Sequence, residues 1–295
     1  MPSGERGPVA ALPGYPTVPI NLATAARLNA PDFTPGSVWL AGAGPGDPGL
    51  LSLYALHALN VADVVVHDAL VPPDILALAT THRVHHVGKR AGGVRTHQMR
   101  INQKLIALAR EGQRVLRLKG GDPLVFGRGG EEALALTAAG IPFRIVPGIS
   151  AGIGGTAAAG IALTHRTLAR SVTFATGHDA RGELAALDFA ALARTDVLVL
   201  YMALRQAGAI AARLVEAGRA RDEPVAFISD ATTARQRVTM ATLSSAGAIA
   251  AGLDQHAPTL VVAGPVLALR SMIVPWLLIG PMTLKPVPSA AGALP

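Results

Sequence analysis

The sequence predicts an α/β protein made of two successive α/β halves, and three observations point to it. From Ser37 onward, short apolar runs alternate with stretches whose apolar residues recur at helical spacing, as βα units on a largely parallel sheet require. Three of those runs end in Gly/Pro-rich loops, at residues 42–49, 120–123 and 147–152. After the glycine-rich stretch near 147–165 the pattern restarts, and two α/β layers fit 295 residues better than one long sheet. The expected organisation is a flexible extension over 1–35, an N-terminal half over 36–147, a C-terminal half over 148–280 and a tail over 281–295. A cleft between the halves is the natural ligand site.

The first strand is expected at Ser37–Ala43, followed by a helix over Leu50–Ala62, where Leu53, Leu56 and Leu59 fall on overlapping turns. Asp63–His67 reads as a second strand, Pro73–Ala79 as a short helix and Val84–Val87 as a third strand. Gln98–Arg110 is helical, Arg114–Lys119 a fourth strand, Gly129–Ala139 a helix and Pro142–Val146 extended. In the second half, strands are expected at Ser171–Thr176, Val197–Tyr201, Pro224–Ser229 and Thr259–Ala263, with helices near Arg205–Ala217 and Ser244–Ala251. The Pro- and Ala-rich tail after Gly280 is expected to be disordered.

Composition narrows the chemistry. With 50% hydrophobic residues and 15% charged ones, the chain can bury a core. Having no cysteine, it can hold no disulfide, thiolate nucleophile or Cys-ligated metal centre. Ile145 to Thr164 is uncharged over 20 residues, but its five glycines and Pro147 suit buried turn and helix rather than a membrane span. The N-terminal stretch has no apolar core of signal-peptide type, so a cytoplasmic protein is expected.

The formal net charge of +7 is concentrated: ten Lys or Arg and a single acid, Glu111, lie between Arg83 and Lys119. That segment has no aromatic residue to stack on bases, which argues against nucleic acid. Either it forms a solvated helix face with flanking loops or it meets a polyanionic small molecule. His82, His85 and His86 cluster, but the surrounding positive charge opposes a cation and no metal is expected.

The loops carry the chemistry. Gly44-Pro45-Gly46-Asp47-Pro48-Gly49 is formally G-x-G-x-x-G, with Asp68 19 residues beyond Gly49. A dinucleotide reading fails on physics, because Asp47 adds a carboxylate and Pro45 and Pro48 each remove an N–H that a pyrophosphate needs. Lys119-Gly120-Gly121-Asp122-Pro123 repeats the Asp-Pro step. Either Asp caps the following helix, or two fixed negative charges at strand ends face a cationic or hydroxylated ligand. Gly148-Ile149-Ser150-Ala151-Gly152 matches the G-x-S-x-G nucleophile elbow, for which Asp230 and His256 are the only ordered triad candidates. Such a match arises easily in glycine-rich sequence. Arg128 and Glu131, three apart at the start of a helix, can pair and hold a guanidinium at the cleft mouth.

Several segments then share one order. Val38-Trp39-Leu40-Ala41-Gly42-Ala43-Gly44-Pro45-Gly46-Asp47-Pro48, Val66-His67-Asp68-Ala69-Leu70-Val71 and Gly88-Lys89-Arg90 come first. Arg117-Leu118-Lys119-Gly120-Gly121-Asp122-Pro123, Phe126-Gly127-Arg128-Gly129-Gly130-Glu131-Glu132, Val146-Pro147-Gly148-Ile149-Ser150-Ala151-Gly152, Leu163-Thr164-His165-Arg166 and Tyr201-Met202 follow. Together, over residues 37–280, they resemble the uroporphyrinogen-III C-methyltransferase family of tetrapyrrole methylases. The resemblance implies two α/β domains of the tetrapyrrole methylase type, S-adenosylmethionine in the cleft between them (S-adenosylhomocysteine leaving as product), and a homodimer. It implies transfer of two methyl groups to uroporphyrinogen III, giving precorrin-2 for cobalamin or sirohaem biosynthesis. The alternative is a methylase of the same fold acting on a later precorrin. A polycarboxylate substrate would account for the basic segment.

Carried over by position, the resemblance places cofactor contacts at Pro45, Gly120, Gly121, Asp122, Val125, Ser150, Ala151, Met202 and Ala231. Ser150 stands where the family usually has Thr, and Ala231 where Gly is usual. Asp68 and Lys89 match a proton acceptor and donor, Arg128 and Glu131 match catalytic positions that handle substrate, and Arg166 matches a substrate-binding one. Asp47 is expected on the substrate side of the site and, with Asp122, to orient the cationic cofactor. Some relatives carry an N-terminal dehydrogenase and ferrochelatase module; the 35 residues here are too few for one, so no NAD or iron chemistry is expected.

Overall fold

The computed structural model describes residues 30–88, 98–178 and 183–277. Its first half runs β1 (Val38–Gly42), α1 (Leu53–Val61), β2 (Val64–His67), α2 (Pro73–Leu76), β3 (Val84–His86), α3 (Gln98–Arg110), β4 (Val115–Lys119), α4 (Gly129–Ala138) and β5 (Phe143–Val146). The second half runs α5 (Ala151–Ala158), β6 (Val172–Thr176), α6 (Phe189–Ala193), β7 (Val197–Tyr201), α7 (Ala207–Glu216), β8 (Pro224–Ser229), β9 (Arg237–Thr242), α8 (Ala246–Ala251), β10 (Thr259–Ala263) and α9 (Arg270–Ile273).

The first sheet has the order β3-β2-β4-β1-β5, and every pairing in it is parallel. Parallel strands covered by helices on both faces need apolar residues at successive positions, and Val38–Gly42 and Val64–His67 are buried throughout. Alternation then assigns faces. Trp39, Val65, Leu116 and Leu118 pack with α1, whereas Val38, Leu40, Val64, Val66 and Val115 face α3 and α4. Arg117 and Lys119, two and four residues beyond Val115, therefore point to the α3/α4 face.

The second sheet has the order β6-β7-β10-β8-β9, and only β6 and β7 are parallel. The expectation of a largely parallel chain thus holds for the first half and fails for the second. The reason is connection length: β8 and β9 are joined by residues 230–236, too few for a crossover, so β9 folds back as a hairpin. Strand β9 is absent from the sequence expectations, as are the short helix α6 and the division of the first helix. There Asp47 caps a 3-10 turn over Pro48–Leu50, and Ser52 opens α1 by accepting from the Ala55 amide at 3.2 Å.

Phe33 is 6% exposed and stacks on Trp39 with ring centroids 4.7 Å apart. The chain therefore joins the core three residues before the expected start of the N-terminal half at 36. The described residues from Phe33 onward, both sheets included, group as one compact unit. Most of the expected extension and the whole tail after 280 lie outside the described residues. No helix among the described residues is long and apolar enough to cross a membrane.

Candidate active site

Because the first sheet is parallel, the loops leaving β1, β4 and β5 emerge at one edge, where α/β sheets place their ligands. The first two are joined as a short ladder: the Gly44 amide donates to the Gly121 carbonyl at 3.2 Å, and the Gly121 amide to Gly44 at 2.7 Å. The Asp122 carboxylate links the second to the third, accepting from the Gly148 amide at 3.1 Å and from Leu124 at 2.8 Å. A Cβ on Gly148 would lie 2.7 Å from the Gly42 Cα, so the three loops meet backbone to backbone with no room for a side chain.

Loops of the second half close the same space. Tyr201, ending β7, puts its hydroxyl 2.6 Å from Ser150 Oγ and accepts from the Gly152 amide at 2.8 Å. The Phe126 ring leans on Tyr201 at 4.8 Å. The Asp47 amide donates to Thr232 Oγ1 at 3.0 Å, and Ala231 packs against Gly46 and Gly155. Among the described residues, the non-glycine positions with positive φ are Phe126, Arg128, Met202, Asp230 and Thr232, all in these loops. Such conformations are costly and persist where the surroundings over-determine them, typically at functional sites. Leu70, Val125, Phe126, Ile149 and Met202 are each more than a third exposed, giving an apolar mouth over the polar loops.

Behind this mouth lies a buried charged cluster. Glu132, wholly buried on α4, accepts through Oε1 from Arg117 Nε at 3.0 Å, Lys119 Nζ at 3.2 Å and Gln98 Nε2 at 3.0 Å. The same Arg117 reaches to within 3.8 Å of Asp68 Oδ2. Asp68 Oδ1 accepts from the amides of Leu70 and Gly120, each at 3.3 Å. Burial, then the neighbouring Arg117, push the Lys119 pKa down, with Glu132 acting in the opposite sense. Burial likewise lowers the pKa of His67, whose Nδ1 lies 2.9 Å from the Asp68 carbonyl.

The family model for tetrapyrrole (corrin/porphyrin) methylases matches residues 37–247. This chain belongs to the tetrapyrrole methylases. A uroporphyrinogen-III C-methyltransferase of Sinorhizobium sp is 52% identical over 246 residues, which are 82% of this methylase and 88% of the relative. A siroheme synthase of Pseudomonas fluorescens (strain SBW25) is 49% identical over 248 residues, 83% of this methylase but 53% of the relative, so the chain spans about half of that protein. The crystal structure of uroporphyrin-III C-methyl transferase from Thermus thermophilus complexed with S-adenyl homocysteine superposes with a TM-score of 0.70 at 38% identity, covering 79% of this methylase and 99% of that chain.

The residues that the sequence singles out in the methylase fall into three groups. Pro45, Gly120, Gly121, Asp122, Val125, Ser150, Met202 and Ala231 lie in the converging loops, Ala151 opens α5 directly after the third, and Asp68 sits beside Gly120. Arg128 and Glu131 form a forked pair at 2.9 and 2.6 Å, both half-exposed, at the start of α4. This bond lowers the Glu131 pKa and raises that of Arg128. Arg166 is exposed in the turn closed by His165 and Ala169, and Lys89 lies outside the described residues.

Asp47 and Asp122 each accept backbone amides, Asp47 Oδ1 from Gly49 at 2.7 Å, so each carboxylate fastens a loop of the site. The basic segment is not one ligand surface. Arg117 and Lys119 are buried against Glu132, Arg114 pairs with Asp63 at 3.3 Å, and Arg110 ends α3 at the end of the sheet opposite Asp68. Lys89, Arg90 and Arg95 lie outside the described residues. The Glu132 cluster and Tyr201 were not singled out from sequence. Two cations at alternate positions of an otherwise apolar strand, Val115-Leu116-Arg117-Leu118-Lys119, were the available signal for the cluster.

The Tyr201 hydroxyl is the polar tie between the third loop and β7. Tyr201→Phe leaves the Gly152 amide and Ser150 without that partner, a loss of about 1–2 kcal/mol. It is expected to weaken S-adenosylhomocysteine binding roughly tenfold by titration calorimetry. An unchanged affinity would show that the tie does not shape the ligand site.

Proposed function

We propose that the chain is an S-adenosylmethionine-dependent uroporphyrinogen-III C-methyltransferase that methylates its substrate twice to give precorrin-2. The observation that carries this is the convergence of five loops, at residues 43–49, 120–128, 147–150, 201–203 and 230–233, on one edge beside Asp68. The 52% identity to a uroporphyrinogen-III C-methyltransferase along 88% of its length supports the choice of acceptor. The site suits the cofactor: glycine-rich loops packed backbone to backbone present main-chain groups at the edge, and exposed Val125, Phe126 and Met202 offer apolar contact to its adenosine.

Bound there, S-adenosylmethionine supplies an electrophilic methyl group on a sulfonium. The protein's own part is to hold the acceptor carbon in line, which supplies most of the acceleration, and to take up the proton which that carbon sheds. Asp68 is the proposed proton acceptor: its side chain is a quarter exposed, Oδ1 is fastened to the cofactor loop at Gly120, and Oδ2 lies 3.8 Å from Arg117 Nη2. Lys89 is the proposed donor. Arg128, fixed by Glu131, presents a guanidinium to substrate carboxylates, and Arg166 is proposed to bind them too. Residues 36–147 and 148–280 act as the two lobes of the cleft, in a cytoplasmic homodimer. The product serves cobalamin or sirohaem biosynthesis.

Anaerobic incubation with uroporphyrinogen III and S-adenosylmethionine is expected to give the precorrin-2 chromophore and S-adenosylhomocysteine. Cofactor binding without that product would reassign the acceptor to a later precorrin. Arg128→Ala is expected to abolish turnover while S-adenosylhomocysteine affinity stays within about threefold of wild type. A large loss of cofactor affinity would place Arg128 in the other part of the cleft.

A further inference from the structure

We infer that Arg117, pinned by the buried carboxylate of Glu132, is a positioning residue for Asp68. The inference rests on the proposed role of Asp68 as proton acceptor. Every nitrogen of the Arg117 guanidinium is directed. Nε donates to Glu132 Oε1 at 3.0 Å, Nη1 points at the carbonyls of Val66 and Leu118 at 3.4 and 3.3 Å, and Nη2 faces Asp68 Oδ2 at 3.8 Å. The last separation is too long for a hydrogen bond, while the others fix the fork. Asp68 thus has a cation beside it that does not bond its Oδ2, and its side chain keeps 25% of its surface exposed.

Glu132 is what keeps the guanidinium there. Left to itself, a buried Arg beside a carboxylate closes to a bidentate pair, which would occupy both Asp68 oxygens and turn them from the mouth. Glu132 competes for that cation through an oxygen that also draws in Lys119 and Gln98, and its Oε2 is buried with no partner among the described residues. A wholly buried carboxylate with an oxygen unsatisfied is costly and contributes nothing to the core that an apolar side chain would not. The groups around Asp68 are His67 at the end of β2 just before it, His86 on β3, Arg117 and Lys119 on β4, and Glu132 on α4. The two acids balance Arg117 and Lys119, and the chain of contacts Glu132–Arg117–Asp68 joins the first turn of α4 to the proton acceptor.

The test is a double-mutant cycle on the full chain, read in kcat, KM for S-adenosylmethionine, S-adenosylhomocysteine affinity and melting temperature. Arg117→Lys keeps the charge but loses the fork, and is expected to lower kcat about tenfold or more with KM and cofactor affinity within about twofold. In an Asp68→Asn background the same change is expected to have no further effect on kcat, because its target is gone. Should Arg117→Lys fold poorly, Glu132→Asp perturbs the fork from the other side and is expected to give the same pattern. An equal kcat loss with and without the Asp68 carboxylate, or a kcat that falls only with the folded fraction, overturns the inference and leaves Asp68 as acceptor. Full activity of Asp68→Asn overturns that reading of Asp68, and the inference with it.

Discussion

Gly148→Ala is expected to melt well below the wild type and to lose S-adenosylhomocysteine binding. The added methyl would meet Gly42 Cα at 2.7 Å and Gly42 C at 2.9 Å, and press on the Gly121 carbonyl. All three contacts are with backbone, at the end of β1 and in the loop leaving the central strand β4, so no rotamer change relieves them. Overpacking against side chains costs about 1–3 kcal/mol, and against fixed backbone the cost should reach or exceed the top of that range. Relief requires the three loops to part, which opens the ladder between Gly44 and Gly121 and the bond from Gly148 to Asp122. Gly130→Ala is the control. A Cβ there meets nothing within 4 Å, and a helical Ala in place of Gly is expected to stabilise by about 0.5–1 kcal/mol. Thermal melts and titration calorimetry read both; a Gly148→Ala protein with wild-type melting and affinity would sink the account of the glycine junction.

Glu132→Ala is expected to be the most destabilising of the charge substitutions. It strands Arg117 and Lys119, each with 3% side-chain exposure, as buried cations with no neutralising partner at bonding distance. Breaking a buried pair in this way costs about 3–5 kcal/mol, near 10 °C in melting temperature for a unit of this size at about 2–4 °C per kcal/mol. The pH dependence follows from Lys119. Its folded pKa is already lowered by burial, so the cost of its charge is fully present below that value and fades as pH rises toward the unfolded value. Removing Glu132 takes away the group that holds this pKa up, so the gap between wild type and Glu132→Ala should narrow from pH 7 into the alkaline range. A gap that widened would mean that Lys119 is not the strained cation. Replacing the trio by apolar residues, R117M/K119M/E132L, should recover most of the lost stability but no activity.

Much of this protein was legible in one dimension, because its information is local. The strand runs, the three glycine loops and the Arg128/Glu131 pair each depend on spacing along one element, and the order of motifs over 37–280 identified the family. What depends on connection geometry or on the far side of a strand was not legible. The hairpin between β8 and β9, the entry of Phe33 into the core beside Trp39, and the meeting of Arg117 with a glutamate 15 residues away belong to that class. That Asp47 and Asp122 also fasten their loops, through the amides of Gly49 and Gly148, became visible only in the fold.

By itself the sequence determined that two α/β halves flank a set of glycine-rich strand ends, since periodicity, turn residues and missing cysteines are properties of the chain. The tertiary structure decided what its charges do. Net charge counts Arg117 and Lys119 as part of a basic segment awaiting an anion, whereas folding places both beside Glu132 within the protein. A charge expresses itself through distance and dielectric, and both are fixed only when strands and helices pack.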